Sequence, residues 1–208
     1  MKQPISRQSS KLHEQRMLAS KLATTAVEEY VRRLSLGEHA VLFYDDTKTL
    51  AKVFTAYFNG GVETNEATIF VGPSQIYDKL FQTPSIERRS KTRPGHVARV
   101  ELGDFFLDRG QMNTKGALQS ITNLIDDRGR SGFLGLRILG LTGMLTEHVE
   151  RADILEFERI MGTRFRMSFS AICAYNTHEW LNDEQLELLT QLLKCHGHGV
   201  FQGIAFPT

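Results

Sequence analysis

The sequence of 208 residues has only two cysteines, no long apolar run and almost no net charge. Cys173 and Cys195 lack C-x-x-C spacing, so a disulfide framework or a structural zinc site has little support. A net charge of +1 removes the electrostatic argument for a nucleic-acid binder. No apolar run approaches the ~20 residues that cross a bilayer, and residues 1–15 lack the apolar core of a signal peptide. We therefore expect a cytoplasmic protein that contacts neither nucleic acid nor membrane directly.

The sequence does have a regular alternation of apolar runs with segments of helical periodicity. A polar tail and a helix over residues 11–36, ended by Gly37, come first, and we divide the chain into residues 1–35 and a domain over 36–208. The predicted strands cover 39–45, 67–72, 97–102, 133–141, 168–176 and 199–206, and the helices cover 47–60, a segment opened by Pro73-Ser74, 114–128, 147–161 and 183–195. Strands that are apolar on both faces and separated by helices predict a three-layer α/β fold with a mainly parallel sheet.

The turn after the first predicted strand lacks the glycines of a phosphate-binding loop. That turn reads Tyr44-Asp45-Asp46-Thr47-Lys48-Thr49, within the stretch HAVLFYDDTKTLAKVF. A phosphate loop needs glycines so that backbone amides can surround the phosphates, and two carboxylates at this place would repel them. The alternative interpretation is a helix N-cap, since Asp and Thr side chains accept hydrogen bonds from first-turn amides. Both interpretations hold if one carboxylate caps the helix and the other faces a pocket.

Several stretches, in order, resemble the MEDS domain, a sensory domain named from methanogens, methylotrophs and the DcmR regulator. They are GEHAVLFYDD (37–46), LAKVFTAYFNGGVETNEATIFVGP (50–73), GLRILG (135–140), ILEFERIM (154–161), AICAYN (171–176) and LLKCHGHGV (192–200). The resemblance covers roughly residues 36–206. The same pattern is similar to RecA- and KaiC-like ATPases from which the phosphate loop has been lost, which implies that the turn after the first strand is a remodelled nucleotide site.

The resemblance implies sensing of small organic compounds, such as one-carbon or hydrocarbon derivatives, rather than catalysis, and we predict no cofactor. It also implies a protein partner, such as a histidine kinase or a transcription regulator. The chain departs from the family pattern R-x-x-G-E-x-x-W after the fourth strand, where Leu141 and Met144 stand at the acidic and aromatic positions. This departure bears directly on ligand specificity.

Candidate ligand-binding residues follow from the strand ends and from the family pattern. Ligands of parallel α/β sheets bind at the carboxyl ends of the strands, and the positions that match the family pattern are His39, Tyr44, Arg137, Glu158, Cys173, Tyr175 and His196. We predict a ligand-binding set of Tyr44, Asp45, Asp46, Arg137, Glu158, Tyr175 and His196. Arg137 lies in an apolar strand and needs a carboxylate partner, for which Asp45, Asp46 and Glu158 are candidates.

Cysteine and histidine occur together in Cys195-His196-Gly197-His198, with His178 shortly before. The spacing invites a metal interpretation, but histidines near a helix C-terminus are also favoured electrostatically, and we assign no metal site. Cys173 is expected to be a small core residue, and Phe105, Phe106 and Trp180 are expected to pack in the core.

The sequence favours two functional hypotheses over a third, a phosphatase-like or redox enzyme that uses the cysteine and histidine cluster. The first is a sensory or regulatory module that binds a small ligand or a protein partner without turning it over. The second is an ATP-binding, KaiC-like regulatory protein with an altered phosphate loop, assembled as a homo-oligomer. No nucleophile elbow, zincin motif or acid pair with a clear base supports an enzyme.

Overall fold

The computed structural model describes residues 25–81, 96–180, 186–201 and 204–207. Its strands are β1 His39–Tyr44, β2 Glu66–Val71, β3 Val97–Val100, β4 Leu107–Asp108, β5 Gln111–Met112, β6 Gly135–Gly140, β7 Phe169–Asn176, β8 His198–Phe201 and β9 Ile204–Pro207. β4 and β5 form a small antiparallel hairpin. The other seven strands form one sheet in the order β3-β2-β6-β7-β1-β8-β9, in which all neighbours are parallel except β8 and β9. The predicted α/β class with a mainly parallel sheet is confirmed.

Helices cover both faces of this sheet. The helical residues 25–32 form α1, followed by α2 Thr47–Thr64, α3 Ser74–Phe81, α4 Leu102–Phe106, α5 Thr114–Arg130, α6 Arg151–Met161, α7 Thr177–Trp180 and α8 Leu186–Cys195. A 3₁₀ helix spans Thr142–Glu147. Of the helices in the described ranges, none has both the length and the apolar character needed to cross a bilayer.

Alternate residues of each buried strand supply two separate cores. On one face, Val41 and Phe43 of β1 pack with residues of α5 and α6. On the other face, Ala40 and Leu42 pack with α1 and α2. Because the sheet is apolar on both sides, any charged side chain within it must find its partners inside the protein.

Several elements differ from their predicted form. The predicted strand 97–102 ends at Val100, before α4. The helix predicted over 47–60, with Gly60-Gly61 as its end, continues as α2 to Thr64 and ends at Asn65, which adopts a left-handed conformation with φ 59°. The run 199–206 was predicted as one strand, but it contributes both β8 and its antiparallel neighbour β9. The helix predicted from residue 147 begins at Arg151, after the 3₁₀ helix.

Gly60 and Gly61 lie inside α2 rather than at its end. Because they have no side chain, neighbouring backbone and side chains can approach the helix closely. A Cβ atom on Gly60 would lie 2.0 Å from the Arg32 carbonyl oxygen and 2.7 Å from Arg137 Nη1. The glycines therefore serve close packing rather than termination, which a local sequence pattern does not distinguish.

Most of the predicted helix 11–36 lies outside the described residues; within them it is helical over 25–32.

Candidate functional site

The turn between β1 and α2 forms an N-cap in which Asp45 and Asp46 are both exposed and Asp46 accepts from a backbone amide. Asp46 caps α2, and its Oδ1 accepts a hydrogen bond from the Thr49 amide at 2.7 Å. Asp45 is exposed, and its Oδ1 accepts from the Thr49 hydroxyl at 3.3 Å. The hydrogen bond from the Thr49 amide lowers the pKa of Asp46. The capping interpretation of this turn is confirmed.

Tyr44 ends β1 at the same edge of the sheet and is 7% exposed. Burial, together with the nearby Glu179 carboxylate, raises the pKa of Tyr44 to about 12. Asn176, which is level with Tyr44 in the neighbouring strand β7, interacts with its hydroxyl. The Tyr44 hydroxyl thus lies near the exposed Glu179 carboxylate, and polar groups of this kind can orient a ligand.

Arg137 does have a carboxylate partner, but the partner is Glu66 rather than Asp45, Asp46 or Glu158. Its Nε donates to Glu66 Oε2 at 2.6 Å, and both side chains are buried. The other two nitrogens donate to the backbone carbonyls of Val31, Arg32, Leu34 and Tyr57 at 2.9–3.5 Å. The guanidinium thus ties β2, the end of α1 and α2 together on one face of the sheet.

A second buried polar group lies on the opposite face, where four potential metal ligands converge. His39 begins β1, Cys173 lies in β7, Glu158 lies in α6, and His196 follows the last residue of α8. We call these four residues the buried quartet. Cys173 stands opposite Val41 in the sheet, two residues along from His39, so the His39 and Cys173 side chains share one face. One ligand atom from each member lies within 4.8 Å of the others.

Three distances within the buried quartet are short and similar. His39 Nε2 lies 3.3 Å from Cys173 Sγ and 3.5 Å from Glu158 Oε2. His196 Nε2 lies 3.4 Å from the same Glu158 oxygen. All four residues are buried, and His39, Glu158 and His196 are each 0% exposed. The two imidazoles, the thiol and the carboxylate therefore surround a single point.

Backbone carbonyls and Tyr175 fix the orientation of the quartet. His39 Nδ1 lies 2.7 Å from the Gly162 carbonyl oxygen, and His196 Nδ1 lies 2.7 Å from the Leu192 carbonyl oxygen. A carbonyl oxygen only accepts, so each Nδ1 carries the proton and each Nε2 points to the centre. The Tyr175 hydroxyl donates to Glu158 Oε1, which leaves Oε2 facing the imidazoles.

Burial sets the electrostatics of this group. Burial and the neighbouring His196 lower the pKa of His39 to about 3, so its imidazole is neutral at pH 7. Burial alone would raise the pKa of Glu158, but His196, His39 and Tyr175 outweigh it and lower the pKa to about 2. Burial and the nearby Glu158 charge raise the pKa of Cys173 and of Tyr175 well above their ordinary values.

The predicted site residues therefore fall into three places. Tyr44, Asp45 and Asp46 lie at the carboxyl end of β1, whereas Glu158, Tyr175 and His196 join His39 and Cys173 in the interior. Arg137 is separate, on the other face. Glu66 was missed, because nothing in the sequence marks the strand that will lie beside Arg137.

The neighbours of His196 in sequence do not belong to the quartet. Cys195 is partly exposed, and His198 contacts the Tyr30 hydroxyl at 2.5 Å and Glu38 at 3.4 Å. His178 is exposed. Phe105, Phe106 and Trp180 are buried in the core as predicted, and Leu141 is also fully buried, at the position where the family pattern has an acid.

Residues 38–197 match the family model of the MEDS domain, described as the methanogen/methylotroph, DcmR sensory domain. This chain belongs to the MEDS family. The match lies within the predicted domain over 36–208, and the family description assigns a sensory role. No curated protein matches the MEDS chain at a significant level.

Solved structures resemble the MEDS chain in fold. The Pyrococcus horikoshii OT3 protein of project PH0250 is 10% identical, with a TM-score of 0.53 over 84% of this chain and 86% of that one. The flagellar accessory protein FlaH from Methanocaldococcus jannaschii is 11% identical, with a TM-score of 0.44 over 81% of this chain and 72% of that one. At these identities the likeness concerns the fold alone.

Proposed function

We propose that the chain is a non-catalytic sensory module that binds a small organic ligand, or a protein partner, at the carboxyl edge of its sheet. The observation that carries this proposal is the capped turn after β1, in a chain of a sensory family. The Asp46 carboxylate satisfies the Thr49 amide, which a phosphate-binding loop would offer to its ligand. The helix end is thus closed by the protein's own anion.

Ligand recognition is assigned to Tyr44 and Asp45, with Asp46 in support. Asp45 is exposed, and the Tyr44 hydroxyl lies next to Asn176 and Glu179 at the same edge. Arg137 has all three nitrogens engaged with Glu66 and backbone carbonyls, so its role is to hold elements together. Glu158 and His196 are fully enclosed, whereas Asp45 in the turn is exposed, which supports the assignment of an organic ligand to the turn.

A melting-temperature screen against methanol, methylamine and short alkanols tests ligand binding. A ligand that binds the folded state at 100 times its Kd stabilises it by about 2.7 kcal/mol, which a thermal melt detects. We expect a saturable rise with at least one probe, reduced in Tyr44→Phe and Asp45→Ala and retained in Tyr77→Phe. Equal shifts in all four proteins, or none with any probe, would count against this site.

The alternative is a KaiC-like regulatory protein that binds ATP through an altered loop, in which Lys48 and Thr49 occupy the positions of the phosphate-loop lysine and hydroxyl. The two functions separate in a melt with Mg-ATP. A rise of several degrees that Lys48→Ala abolishes and Asp45→Ala leaves intact supports ATP binding. If Mg-ATP changes the melting temperature of none of the three proteins, the wild type, Lys48→Ala and Asp45→Ala, the sensory proposal is supported.

A further inference from the structure

We propose that His39, Glu158, Cys173 and His196 form a four-coordinate site for a divalent transition metal, with Zn²⁺ as the preferred ion. This inference is independent of the ligand site proposed at the sheet edge, because the buried quartet lies in the interior. Its basis is the convergence of four ligand atoms of the types that bind zinc, each supplied by a different segment of the fold.

The spacing of the ligand atoms fits a tetrahedral ion. With metal–ligand bonds of about 2.0 to 2.3 Å, adjacent ligand atoms of a tetrahedral zinc site lie about 3.3 to 3.6 Å apart. Three of the six separations are 3.3 Å from His39 to Cys173, 3.5 Å from His39 to Glu158, and 3.4 Å from His196 to Glu158, and all four ligand atoms lie within 4.8 Å of one another. These three distances match the tetrahedral range.

The surroundings of the quartet have the form that orients metal ligands in proteins. Metal-binding histidines usually donate the other ring N–H to a carbonyl or carboxylate, and ligating carboxylates are themselves hydrogen-bonded. His39 and His196 donate to the Gly162 and Leu192 carbonyls, and Tyr175 donates to Glu158. Both Nε2 atoms and Oε2 of Glu158 are thereby directed to the centre.

One buried oxygen in this group needs a further partner. Within the described ranges, no group donates a hydrogen bond of good geometry to Glu158 Oε2, although the residue is 0% exposed. A buried acceptor left in this state costs free energy, and a carboxylate more than a neutral group. A cation at the centre would satisfy this oxygen, with the two Nε2 atoms and the Cys173 sulfur as its other ligands.

Charge and ligand type select the ion. A carboxylate, a thiolate and two neutral imidazoles carry two negative charges, so a divalent ion leaves the buried centre neutral. Thiolate and imidazole favour zinc over magnesium or calcium, which take oxygen ligands. On binding, the Cys173 thiol loses its proton to solvent and the sulfur bonds to the metal. Four protein ligands leave no open position, which is typical of a structural rather than a catalytic site.

Cobalt gives a direct spectroscopic test of these ligands. The full chain is stripped with a chelator, and Co²⁺ is titrated while the near-ultraviolet and visible spectrum is recorded. We expect saturation at one equivalent, tetrahedral d–d bands in the visible, and a thiolate-to-cobalt charge-transfer band. Zn²⁺ should then displace Co²⁺ and bleach the spectrum.

Matched variants distinguish the quartet from its neighbours in sequence. Cys173→Ser should lose the charge-transfer band, and Glu158→Gln and His196→Gln should weaken zinc binding measured by competition with a chromophoric chelator. Cys195→Ser and His178→Gln, which change the same residue types outside the quartet, should bind as the wild type does. Tyr175→Phe leaves all four ligands but removes an orienting hydrogen bond, and should weaken binding about 10- to 100-fold.

Circular dichroism of each metal-free variant shows whether it is folded, and the conservative Cys173→Ser and Tyr175→Phe changes keep the test open if a histidine variant does not fold. A wild type that takes up no Co²⁺ or Zn²⁺ after stripping would overturn the site. So would a charge-transfer band that survives in Cys173→Ser and disappears in Cys195→Ser.

Discussion

At the scale of single residues, substitution in the buried pair of Arg137 and Glu66 should reduce the free energy of unfolding the most. Arg137→Ala leaves the Glu66 carboxylate buried without its partner and frees carbonyls from α1 and α2. Breaking a buried pair on one side costs about 3–5 kcal/mol, so we expect a loss of this order in the free energy of unfolding in urea.

The exposed pair of Arg159 and Glu156 provides the control for Arg137. The distance between the two charged groups is equally short, at 2.6 Å, but both side chains are largely exposed. Arg159→Ala should therefore have a free energy of unfolding close to that of the wild type. The double change Glu66→Gln with Arg137→Met should recover part of the loss. Equal effects of Arg137→Ala and Arg159→Ala would contradict the role given to the buried pair.

Asp46 should stabilise α2 through its cap. Asp46→Ala removes the acceptor for the Thr49 amide, and the expected loss is about 1 kcal/mol, the usual cost of removing an N-cap. Urea unfolding measures it, with Asp45→Ala as the control because Asp45 accepts only a longer hydrogen bond from a hydroxyl.

The pH dependence of this cap follows from the lowered pKa of Asp46. The pKa in the folded protein lies below the ordinary value of 3.8, so the charged cap stabilises fully above that value and is lost as pH falls through the folded pKa. Asp46→Asn keeps a neutral acceptor, so the stability difference between wild type and Asp46→Asn should shrink below about pH 4. A difference that grows on acidification would contradict this assignment.

The sequence predicted some of the residues that meet in and around the buried quartet. Glu158, Tyr175 and His196 were named from the family pattern, and they do meet, because β7, α6 and the end of α8 are neighbours in the fold. The metal interpretation considered for Cys195, His196 and His198, with His178, was not adopted; of these residues only His196 belongs to the quartet, whose cysteine is Cys173. Sequence spacing could not show this, since the four residues are joined by long-range packing.

At the scale of elements, Gly60 should contribute more to the stability of the fold than the low helix propensity of glycine suggests. Gly→Ala in a helix interior normally stabilises by about 0.5–1 kcal/mol, but at Gly60 the added Cβ would lie 2.0 Å from the Arg32 carbonyl oxygen. We expect Gly60→Ala to lower the free energy of unfolding by about 1–3 kcal/mol, the usual cost of overpacking.

Gly129 near the end of α5 is the matched control, because an added Cβ there meets nothing within 4 Å. Gly129→Ala should therefore raise the free energy of unfolding slightly. If both changes stabilise in urea unfolding, α1 and the Arg137 side chain do not approach α2 as closely as described.

Most elements could be predicted from their sequences, because strands apolar on both faces and amphipathic helices have distinct periods. The errors lie where tertiary contacts override local signals. Gly60-Gly61 indicated a helix end, yet these glycines admit Arg32 and Arg137. The last run, 199–206, contains Gln202-Gly203 between two apolar stretches, and predicting it as one strand overlooked this break between two antiparallel strands.

At the scale of the whole molecule, one sheet separates two buried polar centres. Arg137 and Glu66 tie α1 and α2 to one face, and the buried quartet ties α6 and the end of α8 to the other. The capped turn of β1 lies at the edge between these faces. A ligand or partner at this edge would act on a fold that is fixed internally on both sides.

The proposed sensory function requires that the first backbone amides of α2 do not bind the phosphates of a nucleotide. The most direct measurement is a ¹H–¹⁵N NMR titration of the full chain with Mg-ATP, following the amides of residues 47–49. We expect these resonances to stay in place up to millimolar nucleotide, because the Thr49 amide donates to Asp46. Saturable shifts of these amides, absent in Lys48→Ala, would contradict it and assign the turn to ATP.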